Sequence, residues 1–264
     1  MRPSLIILVM VIVLGLNGAA HSARTISCSA ASGKNTVALL ELYTSEGCSS
    51  CPPADEWLGA LPARGFAADR VVALALHVDY WNYLGWEDPF SQKRFTVRQR
   101  RFGALNHLRT IYTPQVLLNG RDFRGWTRGR HLTEELTRIN GTAARASIRL
   151  SLHRTQSDLL EIAGKARVPK PAHRRNADAY LVIYENNLIR AVHAGENAGR
   201  TLHHSFVARQ FIGPLPFTSE LGVDLAQDLR LPQRWVTDNL GVVAFVQDRH
   251  SGEILQALAL PVCR

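Results

Sequence analysis

Two uninterrupted apolar runs stand out in the first part of the chain. Val37–Leu42 is continued by Tyr43 and interrupted only by Glu41, and Val71–Val78 is apolar throughout except for one histidine. Runs of this kind are typical of strands that are buried on both faces of a parallel sheet. Between them, Ala54–Leu61 has apolar residues at helical spacing and is followed by a proline. The pattern predicts a parallel strand–helix–strand unit.

The next stretch predicts helices on either side of a short strand. Asp88, followed by a proline, is typical of a helix start and predicts a basic helix to about Leu108. Ile111–Gly120 predicts a short strand with an Asn-Gly turn, and Phe123–Trp126 predicts the returning strand of a hairpin. His131–Ile139 predicts a closing helix that ends at a second Asn-Gly pair.

Beyond residue 145 the pattern changes to alternating apolar and polar positions, which is typical of antiparallel strands. Ala179–Tyr184 and Leu188–His193 predict one hairpin, and Val242–Val246 with Ile254–Leu260 predict another. A length of 264 residues is enough for one large domain or two ordinary ones.

We therefore expect two regions. The first, over residues 36–145, is expected to have an α/β fold, and the second, over residues 146–264, is expected to be mostly antiparallel β. The second region is expected either as a sandwich-like domain or as a large extension of the first.

Residues 1–22 have the pattern of a secretory signal peptide. Arg2 supplies positive charge, Leu5–Leu16 is apolar, and small residues follow as far as Ser22. The apolar run is too short to span a bilayer, which needs about 20 residues. We predict a periplasmic or secreted protein with no stable membrane span after signal removal. An uncleaved membrane anchor is the alternative.

Export places the four cysteines in an oxidising compartment, where disulfides persist. Cys48 and Cys51 are separated by two residues, whereas Cys28 and Cys263 lie near the two ends of the mature chain. The most economical pairing is therefore Cys48–Cys51 and Cys28–Cys263, with the second bond tying the ends together. A lipid on Cys28 is the alternative, although the preceding residues are a poor lipidation signal.

Positive charge is concentrated in one segment. The net charge is +9, and residues 91–130 contain ten basic residues and one acidic residue. This segment could bind acidic partners, favour a nearby thiolate, or form a solvated face, which is the commonest role of such charge. Nucleic acid is not an expected partner, because the segment lacks an arrangement of stacking aromatic residues and the protein is expected to be exported.

The Cys48-Ser-Ser-Cys51 segment carries the clearest chemical signal. It lies between a predicted strand and a predicted helix, and the N-terminus of a helix stabilises a thiolate. The two-residue spacer allows a reversible disulfide, with Cys48 as an exposed nucleophile and Cys51 as the resolving thiol. Pro52 and Pro53 indicate that the helix begins after Cys48. A static disulfide and half of a metal site are the alternatives.

Pro114 is the second element of the predicted site. An ordinary role at a strand edge is one interpretation. The other is that Pro114, about sixty residues after the cysteine pair and just before an apolar strand, resembles the cis-proline of thioredoxins, which implies that the Thr113 backbone faces the cysteines and can contact an extended substrate. The cysteine pair and this proline together resemble the thioredoxin superfamily over about Thr36–Asn140. The segments ELYTSEGCSSCPPAD, HVDYWNYLGWEDPFSQKRFTVRQ, YTPQVLLNG and GENAGRTL resemble a secreted bacterial family catalogued as domain of unknown function number 1223. That resemblance implies a thioredoxin-like fold and no established substrate.

His77 and Asp79 end the second predicted strand, at the sheet edge where the cysteine pair is also expected. His77 could act as a base for a thiol or complete a copper or zinc site with the two cysteines. Local hydrogen bonding is the more common role of such a histidine. Tyr80 and Trp81, in the aromatic loop that follows, are candidate substrate contacts, with packing as the alternative.

Three further polar features are expected to matter less. Glu46, two residues before Cys48, could shuttle protons, but it is expected to face solvent. His203 and His204 are a weak metal signal because no partner lies near them in the sequence. Residues 195–200, with the sequence GENAGR, are predicted to form a loop to which the sequence assigns no use.

Three functions fit these observations. The first is a thiol–disulfide oxidoreductase that acts on protein thiols or disulfides, acidic ones included, with Cys48 attacking, Cys51 resolving and no bound cofactor. Pro114 would shape the substrate contact. The second is a periplasmic copper or zinc protein that uses Cys48, Cys51 and His77. The third is a non-catalytic thioredoxin-like binding module in which the cysteine pair is a rigid clip.

Overall fold

The computed structural model of the protein describes residues 26–155 and 158–263, so the predicted signal peptide lies outside the described residues. The strands, in chain order, are β1 (Ile26–Ala31), β2 (Ala38–Thr44), β3 (Val71–His77), β4 (Gln115–Leu118), β5 (Arg121–Asp122), β6 (Ser147–Arg154), β7 (Leu159–Arg167), β8 (Ala177–Glu185), β9 (Leu188–Ala191), β10 (Thr201–His204), β11 (Val207–Pro216), β12 (Val223–Asp224), β13 (Gln227–Arg230), β14 (Leu240–Asp248) and β15 (Ile254–Pro261). The helices are α1 (Pro52–Gly59), α2 (Lys93–Leu105), α3 (Gly129–Asn140) and the single-turn α4 (Pro171–Arg174). In the described part of the chain, no helix is long and apolar enough to cross a membrane.

A mixed sheet of eight strands forms the centre of this α/β fold, in the order β15-β14-β8-β11-β3-β2-β4-β5. β3 pairs in parallel with β2 and β11, and the other neighbours in this sheet pair antiparallel. The predicted strand–helix–strand unit is present as β2, α1 and β3. Strands from both sides of residue 145 share this sheet, so the second region extends the sheet of the first.

Both faces of the central sheet are covered, which explains its continuous apolar runs. Leu40 and Leu42 of β2 pack in a buried cluster with residues of α1 and α3. Leu39 and Tyr43, which point the opposite way, pack with Phe95 of α2. Because successive side chains of a strand point to opposite faces, a strand between two layers has to be apolar at nearly every position.

A second sheet packs against the β8, β14 and β15 end of the first. It has the order β1-β6-β7-β12, and β13 also pairs with β7. Ile148 and Leu152 of β6 share a buried cluster with Leu181 of β8. Beside this cluster, a disulfide joins Cys28 of β1 to Cys263, and the other predicted disulfide, between the two nearby cysteines, is also present. Both predicted disulfide pairings are therefore confirmed.

The predicted hairpin of 179–184 with 188–193 is wrong. β8 pairs with β11 on one side and β14 on the other, whereas β9 pairs with β10 in a separate two-stranded ribbon. All nine residues of β8 are buried, so this strand requires a neighbour on each side. β9 alternates between half-buried and exposed positions and lies outside the central sheet. The hairpin of β14 and β15 is confirmed.

Two predicted element boundaries also differ. α2 begins at Lys93 with Gln92 as its N-cap, so Asp88 does not cap this helix. The Asp88 carboxylate is instead engaged inside the protein, as described below. After the Asn-Gly turn, the returning strand β5 has only two residues, and Arg124–Thr127 form a short 3₁₀ helix in place of the predicted strand.

Candidate functional site

The cysteine pair lies in the turn between β2 and α1. Cys51 is the N-cap of α1, and Pro52 and Pro53 occupy the first turn, where the missing proline N–H groups have no helical partner to lose. Cys48 precedes the helix, as the two prolines indicate. The two sulfurs form a disulfide, and the Cα atoms are 5.4 Å apart.

Both sulfur-bearing residues are buried, with Cys48 1% exposed and Cys51 0% exposed. The expectation of an exposed thiol at the helix start is therefore wrong for this disulfide-bonded state. Ser49 and Ser50, between the two cysteines, are exposed. The two serine side chains of the loop are thus exposed to solvent, whereas the disulfide is buried.

Thr113 and Pro114 lie beside this disulfide, and the peptide bond between them is cis. The Thr113 hydroxyl donates to Cys48 Sγ at 3.3 Å and accepts a hydrogen bond from Trp81 Nε1 at 2.8 Å. Trp81 also packs on Gly47, where a Cβ atom would lie 3.0 Å from the Trp81 Cβ. The structure therefore brings Thr113, Pro114 and Trp81 together at the cysteine pair.

Tyr80 lies next to these residues, with its ring centroid 6.3 Å from that of Trp81. It is half-buried, and burial raises the pKa of its hydroxyl. Asp79 points to α2, where it accepts a hydrogen bond from the Thr96 hydroxyl.

Residues Gly195–Arg200, between β9 and β10, form a cover segment over the cysteine loop. Asn197 is fully buried and donates to the backbone oxygens of Glu46 at 2.8 Å and Cys48 at 2.9 Å. The Glu196 carboxylate accepts hydrogen bonds from the Ser49 backbone N–H and hydroxyl, at 2.9 and 2.7 Å. These bonds lower the pKa of Glu196. The GENAGR sequence, predicted only as a loop, thus holds the Cys-x-x-Cys turn in place.

His77 is buried beneath this loop with a carboxylate partner that the sequence analysis did not identify. Its Nδ1 lies 2.7 Å from Asp88 Oδ2, and both side chains are 0% exposed. Asp88 also accepts hydrogen bonds from the backbone N–H groups of Glu46 and Phe90, each at 2.9 Å. Burial alone would raise the pKa of Asp88, but His77 and these hydrogen bonds lower it below its ordinary value.

His204 lies next to His77, with the ring centroids 5.0 Å apart. Its Nε2 is 3.3 Å from Glu46 Oε1, and its Nδ1 is 3.8 Å from Asp55 Oδ1. The expectation that His204 lacks partners is wrong, because β10 brings it to residues from the first region. Glu46 is 0% exposed, so the expectation that it faces solvent is also wrong. Trp86 Nε1 donates to its other oxygen at 2.8 Å.

Five residues thus form a buried polar cluster: Glu46, Asp55, His77, Asp88 and His204. Burial alone lowers the pKa of His204, but the carboxylates of Asp55 and Glu46 outweigh it and raise the pKa to about 9. Histidine and carboxylate groups in such a cluster can hold a proton or bind a cation. A metal set made of the two cysteines and His77 would first require reduction of the disulfide.

The basic segment is mostly a surface feature, with one exception. Nine of its ten basic residues are exposed, whereas Arg98 of α2 is 8% exposed. The Arg98 guanidinium donates to both carboxylate oxygens of Glu41 in β2, at 2.7 and 3.2 Å. This ion pair explains the single acidic residue in the first apolar run, because the charge on each partner is neutralised inside the core.

Comparisons with known proteins find one matching family model and solved structures with a similar fold. A family model described as "Protein of unknown function (DUF1223)" matches residues 39–247. None of the curated proteins compared with the chain matches it. A crystal structure of a protein from Agrobacterium tumefaciens is similar with a TM-score of 0.59 and 26% identity, covering 86% of this chain and 96% of that chain. HBP35 of Porphyromonas gingivalis is similar in fold, with a TM-score of 0.63 and 17% identity over 88% of this chain and 76% of that chain.

Proposed function

The chain belongs to the DUF1223 family of proteins of unknown function, and from this starting point we propose that it is an exported thiol–disulfide oxidoreductase with a thioredoxin-like fold. Its partners are protein thiols or disulfides in the periplasm or outside the cell. The export part of this proposal rests on the signal-like residues 1–22. Fractionation of the producing cell tests it, and recovery in the cytoplasm would contradict it.

One observation carries the chemical proposal: the Thr113 hydroxyl lies 3.3 Å from Cys48 Sγ, next to the cis bond to Pro114. A donor at this distance can stabilise negative charge on the Cys48 sulfur, which favours the reactive thiolate form. The helix that begins at Pro52 adds its partial positive charge on the same side. Trp81 and Tyr80 adjoin Thr113 and would supply the apolar part of the substrate contact.

The proposed reaction is an exchange of two electrons. A substrate thiolate attacks Cys48 Sγ, a bond forms between these sulfurs, and the Cys48–Cys51 bond breaks with Cys51 leaving as a thiolate. A second substrate thiolate then attacks the substrate sulfur of the mixed disulfide and releases Cys48 as a thiolate. The substrate becomes a disulfide, and Cys48 and Cys51 take up the two protons that the substrate thiols lost. With reduced protein and a disulfide substrate, the same steps run in reverse.

The cover segment limits access to this reaction. In the disulfide-bonded state Cys48 is 1% exposed, and Asn197 and Glu196 bind the turn that carries it. An attacking sulfur has to approach along the axis of the Cys48–Cys51 bond. The cover segment or the Trp81 side chain must therefore move away first. The proposal therefore includes a slow reaction with small thiols and a faster one with partners that displace the cover.

Two measurements test the proposal. The reduction potential of the Cys48–Cys51 pair is measured against glutathione, and a value below about −300 mV would indicate a structural bridge and contradict it. Cys51→Ala in the exporting cell is expected to trap a mixed disulfide on Cys48, which reducing agent releases. Cys48→Ala/Cys51→Ala is the matched control, because it keeps the same loop without the nucleophile.

The burial of both sulfurs supports a second candidate, a non-catalytic binding module in which the disulfide is a rigid clip. This candidate predicts that Cys48→Ser/Cys51→Ser keeps the biological phenotype and the partner. The oxidoreductase proposal predicts that the same variant loses both trapping and phenotype.

A further inference from the structure

Inside the buried polar cluster, three side chains from distant parts of the chain bring atoms that can bind a metal close together. Asp55 of α1, His77 of β3 and His204 of β10 each contribute one such atom, and these atoms all lie within 4.8 Å of one another. The three residues are 5%, 0% and 2% exposed. His77 Nε2 and both ring nitrogens of His204 are buried and have no hydrogen-bond partner among the described residues. Buried polar atoms of this kind normally have a partner, so these atoms call for an explanation.

The second polar atom of each side chain has its own neighbour. Asp88 binds His77 Nδ1 at 2.7 Å, which leaves Nε2 free. The Thr44 hydroxyl donates to Asp55 Oδ2 at 2.8 Å, which leaves Oδ1 facing His204 Nδ1 at 3.8 Å.

His204 has a matching carboxylate, because Glu46 Oε1 lies 3.3 Å from Nε2, on the far side of the ring from Asp55. Metal-binding histidines commonly donate their second N–H to a carboxylate, which fixes the ring and its tautomer. Asp88 holds His77 in that way, whereas Glu46 lies beside His204 Nε2 as an ion-pair neighbour without a completed hydrogen bond.

We propose that Asp55, His77 and His204 bind a divalent transition metal, with zinc as the best match. Two imidazole nitrogens and one carboxylate oxygen are a common zinc ligand set, and three protein ligands leave a fourth position for another group. Ligands at about 2 Å from one ion lie roughly 3.4 Å apart, so ligand atoms that are now up to 4.8 Å apart would have to approach one another by at most about 1.4 Å. This site uses neither cysteine, so it goes beyond the proposed function and does not depend on it.

The ion would join α1, β3 and β10, the elements that surround the cysteine loop. β10 directly follows the cover segment, so a metal bond to His204 would fasten the end of that segment to the central sheet. The site therefore has a role in positioning the cover, whichever way electrons flow through the cysteine pair.

The test uses the full chain with both disulfides intact, so that no free thiol competes for metal. After treatment with a chelator, the protein is titrated with Zn²⁺ by calorimetry and with Co²⁺ by visible absorption. We expect about one ion per chain, and at least tenfold weaker binding in Asp55→Asn and in His204→Gln. Asp88 is not one of the proposed ligands, but it orients His77, so Asp88→Asn is expected to weaken metal binding about 10- to 100-fold.

Two variants serve as controls. His203→Gln changes the exposed neighbour of His204 on the same strand and is expected to bind like the unaltered chain. Cys48→Ser/Cys51→Ser is expected to keep the metal, and loss of binding in that variant would overturn the proposed ligand set in favour of a cysteine site. Circular dichroism confirms that each variant is folded. The proposal is also overturned if the folded, oxidised chain takes up no stoichiometric Zn²⁺ or Co²⁺, or if Asp55→Asn and His204→Gln both bind normally.

Discussion

Replacing Asn197 with alanine is the sharpest test of the cover segment. The substitution removes the donors to the backbone oxygens of Glu46 and Cys48, at 2.8 and 2.9 Å, and the acceptor of a 2.8 Å bond from Arg200. A buried group left without its partner costs about 1–3 kcal/mol. The Cys48 oxygen keeps one donor, because the Cys51 N–H lies 3.2 Å from it. We therefore expect Asn197→Ala to lower the free energy of unfolding by about 2–4 kcal/mol.

The free energy of unfolding is measured by urea titration with tryptophan fluorescence. The rate at which a small thiol reduces Cys48–Cys51 is measured below the unfolding transition. If the cover opens more easily by about 1.4 kcal/mol, the open state is tenfold more populated, so we expect reduction to be about tenfold faster. Asn239→Ala is the matched control, because its amide oxygen accepts only an exposed bond from Asn187, and a change within about 0.5 kcal/mol is expected. A wild-type urea midpoint together with a wild-type reduction rate for Asn197→Ala would refute the reasoning.

Three further substitutions test other contacts. Arg98→Met leaves the Glu41 carboxylate buried without its partner, and urea titration is expected to show that the free energy of unfolding falls by about 3–5 kcal/mol. Adding Glu41→Gln in the same chain is expected to restore part of this loss. A loss within experimental error for Arg98→Met would count against the ion pair. Cys28→Ser/Cys263→Ser is expected to lower the free energy of unfolding by about 2–5 kcal/mol without changing the reduction potential of the Cys48–Cys51 disulfide. A shifted potential would contradict this expectation and show coupling between the two disulfides. Trp81→Phe removes one hydrogen bond beside the cysteine pair and is expected to lower the free energy of unfolding by only about 1 kcal/mol while speeding reduction; slower reduction would contradict a shielding role.

Local signals in the sequence account for the parts of the fold that were predicted. The apolar runs that became β2 and β3 are seven residues long, a length at which a continuous apolar run favours a strand with two buried faces over a helix. The disulfide pairing followed from spacing alone, since Cys48 and Cys51 are too close in sequence to serve separate partners easily. The placement of Pro114 next to the cysteines followed from its resemblance to a known arrangement, not from any periodicity.

The buried polar cluster could not be predicted in the same way, because its contacts join residues far apart in the chain. Asp88 looked like a helix cap, and only the later start of α2 at Lys93 shows that its carboxylate is free for His77. His204 and Asn197 reach the site from the ribbon of β9 and β10, whose pairing was assigned wrongly. Once residues 201–204 are known to form a strand, consecutive side chains point to opposite sides, which explains why His203 is exposed and His204 is buried.

The disulfide between Cys28 and Cys263 spans a sequence separation of 235 residues and so makes nearly all of the described chain a covalent ring. A single proteolytic cut anywhere within that ring leaves the two pieces attached to each other. The two pieces separate on a denaturing gel only after reduction. In an envelope or extracellular medium that contains proteases, a ring of this kind keeps the cysteine loop and its cover in one molecule after the first cleavage.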